Sequence, residues 1–100
     1  MFQDYYPVVV QALAGENYTV YAYFTDGSVH LFDMKSLIAS GGVFENLNDY
    51  DFFLNRLTVM NDTIAWRLGD DFNPANCIDI DPFTVYNSIS VNDPLEQLAS

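Results

Sequence analysis

The chain has 100 residues, half of them hydrophobic and 16% aromatic, which suits one packed domain and argues against intrinsic disorder. Three basic residues stand against fourteen acidic ones, for a formal net charge of -11, and a field of that sign repels nucleic-acid phosphates and anionic membranes while it attracts basic proteins. A single cysteine excludes an internal disulfide, and no apolar run is long enough to span a bilayer.

The N-terminal segment has neither a basic region nor a small-residue cleavage pattern, so no secretory signal peptide is predicted. A cytoplasmic protein is therefore expected. Residues 1–100 should form one acidic domain, with 87–100 as a loosely docked tail.

The first predicted elements are strands. Pro7–Leu13 contains a valine triplet, and Tyr18–Phe24 is rich in β-branched and aromatic residues. The pair Asp26-Gly27 separates Tyr18–Phe24 from Ser28–Asp33, which predicts a β-hairpin closed by a two-residue type I′ turn.

That turn predicts a register in which Phe24 pairs with Val29, and the register sorts the side chains onto two faces. The aliphatic face should be core and contains Val20, Ala22, Phe24, Val29 and Leu31. The aromatic face should group Tyr21, Tyr23, His30 and Phe32. Either the C-terminal segment 85–98 or a second copy is expected to cover the aromatic face, which makes it a candidate partner-binding or homodimer surface.

Two short helices are predicted next. Asp33 can cap a helix over Met34–Ser40, which Gly41-Gly42 would end. Asn48 can cap a second helix over Asp49–Asn55. Phe44 and Leu47 should hold the connection between the helices against the core.

A second hairpin is predicted from Leu57–Met60 and Thr63–Arg67 around an Asn61-Asp62 turn. Its inward face would contain Leu57, Val59, Ile64 and Trp66, with Trp66 in the core, and its outward face would contain Thr58, Met60, Thr63 and Ala65. Arg56 and Arg67 would lie nearly opposite each other, so Asp70 or Asp71 should neutralise them.

The chain after Gly69 is predicted to be irregular, apart from a helical turn over 81–86 that begins with an aspartate cap and a proline. Residues 93–98 repeat that opening. The fold class is therefore α+β: one small domain with an antiparallel sheet of four to five strands built from two hairpins, and two or three short helices.

Catalytic chemistry has little support in the sequence. Cys77 and His30 are the candidates for a thiol–imidazole pair, but nothing basic near Cys77 would lower its pKa. The stretch Asp70–Asp81 is rich in oxygen donors but lacks the glycine and the glutamate of a calcium-binding loop. No cofactor, metal site or catalytic residue is predicted.

Several short motifs are similar to those of the small bacterial domain-of-unknown-function family 2442. They include Asp26-Gly27, Leu31-Phe32-Asp33, Gly42-Val43-Phe44, Ile64-Ala65-Trp66 and Cys77 to Tyr86, with Val85 where that family usually has leucine. The resemblance implies a small α+β domain without an accepted activity. Some members resemble one half of a toxin–antitoxin pair, and others are fused to a helix-turn-helix domain, although no repressor role is supported here.

Charge, size and the resemblance together predict a non-enzymatic acidic module that binds and restrains a basic partner protein. An antitoxin-like protein and a phage-type inhibitor of a nucleic-acid-handling enzyme, such as an anti-CRISPR protein, are specific versions. The predicted contact residues are Asp70, Asp71, Asp79 and Asp81. The alternatives are a small metal- or ligand-dependent enzyme that uses Asp70–Asp81, and a structural domain whose partner is its own copy.

Overall fold

Two antiparallel sheets organise the computed structural model, which describes residues 6–95. The four-stranded sheet has the order β1-β2-β3-β7 and is formed by β1 (Val9–Ala14), β2 (Thr19–Phe24), β3 (Val29–Asp33) and β7 (Ile89–Val91). The three-stranded sheet has the order β4-β5-β6 and is formed by β4 (Leu57–Met60), β5 (Thr63–Arg67) and β6 (Cys77–Asp79).

The predicted α+β class is confirmed, but the strands of residues 6–95 form two sheets rather than one. The additional strands, β6 and β7, have three residues each and no alternating pattern long enough to recognise. They are stabilised by pairing with β5 and β3, respectively.

The first hairpin forms, but its predicted register is wrong by one residue. The turn has three residues, 25–27, because the Phe24 amide donates to the Ser28 carbonyl and Gly27 takes a φ of 89°. The Asp26 carboxylate accepts from the Ser28 amide and hydroxyl, which stabilises this longer turn. Ala22 therefore lies opposite His30, and every side chain of β3 is on the other face from the one predicted.

The second hairpin is confirmed in its bounds, turn and register. Met60 pairs with Thr63, and Asn61 and Asp62 have φ values of 55° and 64°, as a type I′ turn requires. Its predicted outward face is nevertheless buried at Met60, Thr63 and Ala65. Strand β1 packs against β4 and β5, which covers that face.

Three short α-helices and one 3-10 helix lie within residues 6–95. Helix α1 is Lys35–Ser40, a 3-10 helix follows at Gly42–Asn48, α2 is Tyr50–Arg56, and α3 is Pro82–Tyr86. The cap of α2 is Asp49, whose side chain accepts from the next amides, and not Asn48 as predicted. Asp81 caps α3 as predicted and accepts from the Phe83 amide. The N-cap of α1 is Met34 rather than the predicted Asp33, although the Asp33 carboxylate accepts from the Lys35 amide.

The core joins both sheets around Trp66, which is fully buried as predicted. Its indole N–H donates to the Phe53 carbonyl at 2.9 Å, and its ring packs on the Phe53 ring. The other residues predicted around it also belong to this cluster or pack against it: Phe44, Leu47, Leu57, Val59 and Ile64. None of the described helices has the length and apolar character that a membrane crossing requires.

The C-terminal part of the described chain completes the four-stranded sheet. Residues 89–91 form β7, and the Asp93 carboxylate accepts from the Leu95 amide at the start of a further turn. The predicted continuation of that turn to residue 98 lies outside the described residues.

Candidate functional site

The predicted aromatic face does not exist as one surface, because the shift in register divides it. Tyr21 and Tyr23 lie opposite Leu31 and Val29 on the outer face of the four-stranded sheet. His30 and Phe32 lie on the opposite face, toward the core. The four residues therefore cannot act together as a partner-binding or dimer face.

His30 is a core residue rather than the surface or interface residue expected from the sequence. The residue is 6% exposed, and its ring lies 5.2 Å from the Phe24 ring and 4.7 Å from the Tyr86 ring, centroid to centroid. Its Nδ1 is 3.0 Å from the Ser88 carbonyl, and its Nε2 is 3.1 Å from the Ser28 hydroxyl. Both ring nitrogens thus have structural partners.

Cys77 lies in the other sheet, so the two candidates for a thiol–imidazole pair are not neighbours. Burial and the nearby Asp79 carboxylate raise the pKa of the Cys77 thiol, which leaves it protonated and poorly nucleophilic. The thiol contacts the Pro74 carbonyl at 3.5 Å. It is a half-buried packing residue without a base.

Tyr23 is tied to the C-terminal segment. Its hydroxyl donates to the Asp93 carboxylate at 2.6 Å, and burial together with this bond raises the pKa of Tyr23 to about 12. Tyr21 is only partly covered. It lies between two open grooves of the outer face, one beside β7 and one beside the β1–β2 turn.

The four predicted acidic contact residues lie before β6, at its end and just after it, and all four are exposed. Asp70 lies 3.8 Å from Arg56 at the start of the β5–β6 loop, and Asp71 is next to it. Asp79 is the last residue of β6, and its carboxylate accepts from the Asn61 side chain at 2.9 Å. Asp81 caps α3 and is partly committed to that role.

A cleft lies between β6 and the 3-10 helix. The residues that line this cleft are Gly42, Val43, Asn46, Leu68, Cys77, Ile78 and Asp79. Val43 is 70% exposed and Leu68 is 40% exposed, so the cleft presents two apolar side chains beside the Asp79 carboxylate. Asp70 and Asp71 follow Leu68 by two and three residues, so their Cα atoms lie within about 12 Å of that end of the cleft.

Some backbone groups of β6 are not used in pairing with β5. The amides of Leu68 and Ile80 donate to the carbonyls of Asn76 and Ile64, so the even-numbered residues from 76 to 80 face β5. Hydrogen-bonding groups alternate in direction along a strand. The N–H and C=O groups of Cys77 and Asp79 therefore face away from β5, and both residues line the cleft.

The electrostatic character of the cleft follows from how few cations the chain has. All three basic side chains are engaged by the chain's own acceptors. Lys35 bonds Asp33 and the Asn17 carbonyl, Arg56 bonds the Gly69 carbonyl, and Arg67 lies over the Phe72 ring. Among residues 6–95 the ion pairs are Lys35–Asp33 and Arg56–Asp70, so Asp71 and Asp79 have no cation of their own.

The sequence analysis singled out the acidic residues beside the cleft but not the exposed apolar ones. Val43 and Leu68 carry no signal for exposure, because an aliphatic residue next to Phe44 or after Trp66 is expected to be buried. In the described part of the chain no three His, Cys, Asp or Glu side chains are grouped closely enough to hold a metal ion.

Comparison with known proteins gives one match. A family model described as "Protein of unknown function (DUF2442)" matches residues 9–90. No curated protein and no solved structure matches the chain.

Proposed function

The chain belongs to the DUF2442 family, whose function is unknown, and from that premise we propose that it is a non-enzymatic module that binds a basic partner protein. The proposed binding site is the acidic cleft, defined by Val43, Leu68, Cys77 and Asp79 with the adjacent Asp70 and Asp71. The partner contributes an extended segment that carries basic and apolar side chains.

The observation that carries this proposal is the combination of groups in the acidic cleft. Carboxylates without a cation of their own lie beside exposed aliphatic side chains and an open strand edge. A β-strand added to β6 would bond to the backbone groups of Cys77 and Asp79. Its lysine or arginine side chains would meet Asp71 and Asp79, and its apolar side chains would contact Val43 and Leu68.

The more specific version is an inhibitor that restrains a nucleic-acid-handling enzyme, as an antitoxin-like or phage-type protein does. A basic groove that evolved to bind phosphates also attracts a dense carboxylate surface. On this version, nucleic acid competes with the chain for the same partner, and binding weakens as salt is added.

The test uses a defined probe, a synthetic extended peptide that alternates lysine and valine. We expect it to bind the wild-type chain in low salt and to shift the backbone NMR signals of Cys77 and Asp79. The variant with Asp71→Asn and Asp79→Asn should bind it about tenfold more weakly, which corresponds to about 1.4 kcal/mol.

The matched control removes one charge elsewhere, and it is compared with the single variant Asp79→Asn. Glu16 is exposed at the β1–β2 turn, far from the acidic cleft in the fold, so the peptide should bind Glu16→Gln about as tightly as the wild type. Equal losses in both variants would mean that the peptide senses net charge alone. Shifts confined to residues outside the cleft would refute the assignment of the site.

A further inference from the structure

The edge strand β7 has an unused side. It pairs with β3 on one side, and in residues 6–95 no strand pairs with the other. Ile89, its first residue, is 66% exposed. An unpaired edge is a template for another strand unless charges, prolines or a covering segment protect it.

The direction of the backbone groups of β7 follows from the bonds of β3. The Phe24 amide donates to the Ser28 carbonyl, and the Met34 amide donates to the Tyr18 carbonyl. The even-numbered residues of β3 therefore bond β2, and the odd-numbered Val29 and Leu31 bond β7 through Val91 and Ile89. The N–H and C=O groups of Ser90 are left pointing away from the sheet.

Like β1 at the other edge of the sheet, β7 lies in a stretch without charged side chains, but β1 packs against β4 and β5. Residues 83–92 contain no acidic or basic side chain, although the chain as a whole has a net charge of -11. No charge or proline therefore protects β7 itself. A basic partner gains nothing from such an edge, whereas a second acidic copy meets no local like-charge repulsion there.

We propose that β7 is a self-association edge, at which a second copy of this chain adds its own β7 in antiparallel orientation. The two-fold axis passes beside Ser90, so that the two Ser90 residues exchange both backbone hydrogen bonds. Ile89 of one copy then lies opposite Val91 of the other, and the two four-stranded sheets become one continuous sheet of eight strands.

This contact is independent of the acidic cleft, which belongs to the other sheet. It is short, so the dimer should be weak and concentration-dependent. Net repulsion between two copies acts over about 8 Å at physiological salt and is screened further as salt is added. Added salt should therefore strengthen the dimer, whereas it weakens binding of a basic partner at the cleft.

The test is sedimentation of the full chain from about 10 μM to about 1 mM at low and high salt. We expect a monomer–dimer equilibrium whose dissociation constant falls as salt rises. Ser90→Pro removes the outward N–H without breaking a bond to β3, and Ile89→Glu places a charge on the edge; both should weaken the dimer at least tenfold.

The matched control is Val10→Glu, because Val10 is 59% exposed on β1, the opposite edge strand of the same sheet. It adds the same charge as Ile89→Glu and should leave the dimer nearly intact. Circular dichroism and Trp66 fluorescence check that each variant is folded. A folded monomer at every concentration and salt would overturn the proposal, and so would a dimer that survives both Ser90→Pro and Ile89→Glu.

Discussion

The two hairpins of this chain reach the same topology by different means. The β4–β5 hairpin is closed by Asn61 and Asp62, whose positive φ values form a two-residue turn. Distant groups also bond this turn, because the Asn61 side chain donates to the Asp79 carboxylate and the Val9 amide donates to the Asp62 carbonyl. The β2–β3 hairpin is closed by a longer turn in which Asp26 also accepts a hydrogen bond from the Tyr86 hydroxyl, 60 residues away in sequence. Both turns have long-range contacts, but the first is a two-residue type I′ turn and the second is a three-residue turn whose aspartate bonds the C-terminal segment.

The burial of the two hairpins differs accordingly. Strand β5 is buried on both faces from Thr63 to Trp66, so its register has one acceptable solution. The four-stranded sheet has an outer face that is partly open around Tyr21 and covered at Tyr23 by the segment near Asp93. The comparison teaches that a two-residue turn with two positive φ values makes a register predictable from sequence, whereas the faces that a hairpin buries depend on what packs against it.

The largest expected effect is in the β4–β5 hairpin, at its most deeply buried large side chain. Trp66→Ala should lower the free energy of unfolding by about 3–5 kcal/mol, because a fully buried indole is lost and the Phe53 carbonyl loses its donor. Urea unfolding followed by circular dichroism measures this. A loss below about 1 kcal/mol would show that the core is not centred on Trp66.

The second-largest loss of stability is expected from a substitution in the turn of the β2–β3 hairpin. Gly27→Val should cost about 1–3 kcal/mol, since Gly27 has a φ of 89° that a β-branched residue resists. A Cβ at this position would meet no atom within 4 Å, so the cost comes from the backbone alone. Gly27→Asn should cost less, because asparagine tolerates positive φ. Equal losses for valine and asparagine would contradict this explanation.

The long-range contact of that turn is tested by Tyr86→Phe, which should cost about 1 kcal/mol. The Ser28 and Tyr86 hydroxyls hold the pKa of Asp26 below its ordinary value. The stability from Asp26 is therefore full above the ordinary carboxyl pKa and is lost as the pH falls through the lowered value.

Acid unfolding of Tyr86→Phe and Asp26→Asn, alone and combined, checks this coupling. The loss of stability at low pH should be shallower in Asp26→Asn than in the wild type. If the two substitutions add without a coupling energy, the contact contributes nothing.

A smaller effect is expected at high pH. The pKa of Tyr23 is raised from 10.0 to about 12, so its contribution is full below 10 and is lost as the pH rises toward 12. Because the side chain is partly exposed, the loss should stay below about 1 kcal/mol. Ultraviolet titration should show one tyrosine that ionises at a higher pH than the others. In Asp93→Asn this tyrosine should ionise at a lower pH than it does in the wild type.

The smallest expected effect is an increase in the free energy of unfolding. Asp62→Gly should stabilise the β4–β5 hairpin by about 0.5 kcal/mol, because glycine adopts the φ of 64° without the strain that aspartate bears. Thermal unfolding measures the gain. A loss would show that the Asp62 side chain makes a contribution larger than the strain it carries.

Much of the fold could be predicted from residues that act locally. The Asn61-Asp62 turn, the Asp81-Pro82 helix start and the core position of Trp66 each depend on neighbours in sequence. The register of the first hairpin could not be predicted from the sequence, because Asp26-Gly27 fits both a two-residue and a three-residue turn. Likewise, the sequence singled out Asp79 as a candidate but not Val43, whose exposure depends on how the 3-10 helix lies against β6.

The position of β7 also sets the order in which the protein can fold while it is being made. His30 and Ser88 are 58 residues apart, so at usual translation rates β3 waits roughly 3–12 s for the segment that covers it. During that interval the β4–β5 hairpin can already form, whereas β3 is an uncovered edge of mostly apolar sequence. A nascent chain that stalls before residue 89 should therefore aggregate through β3, and ribosomes arrested at that point would be the place to observe it.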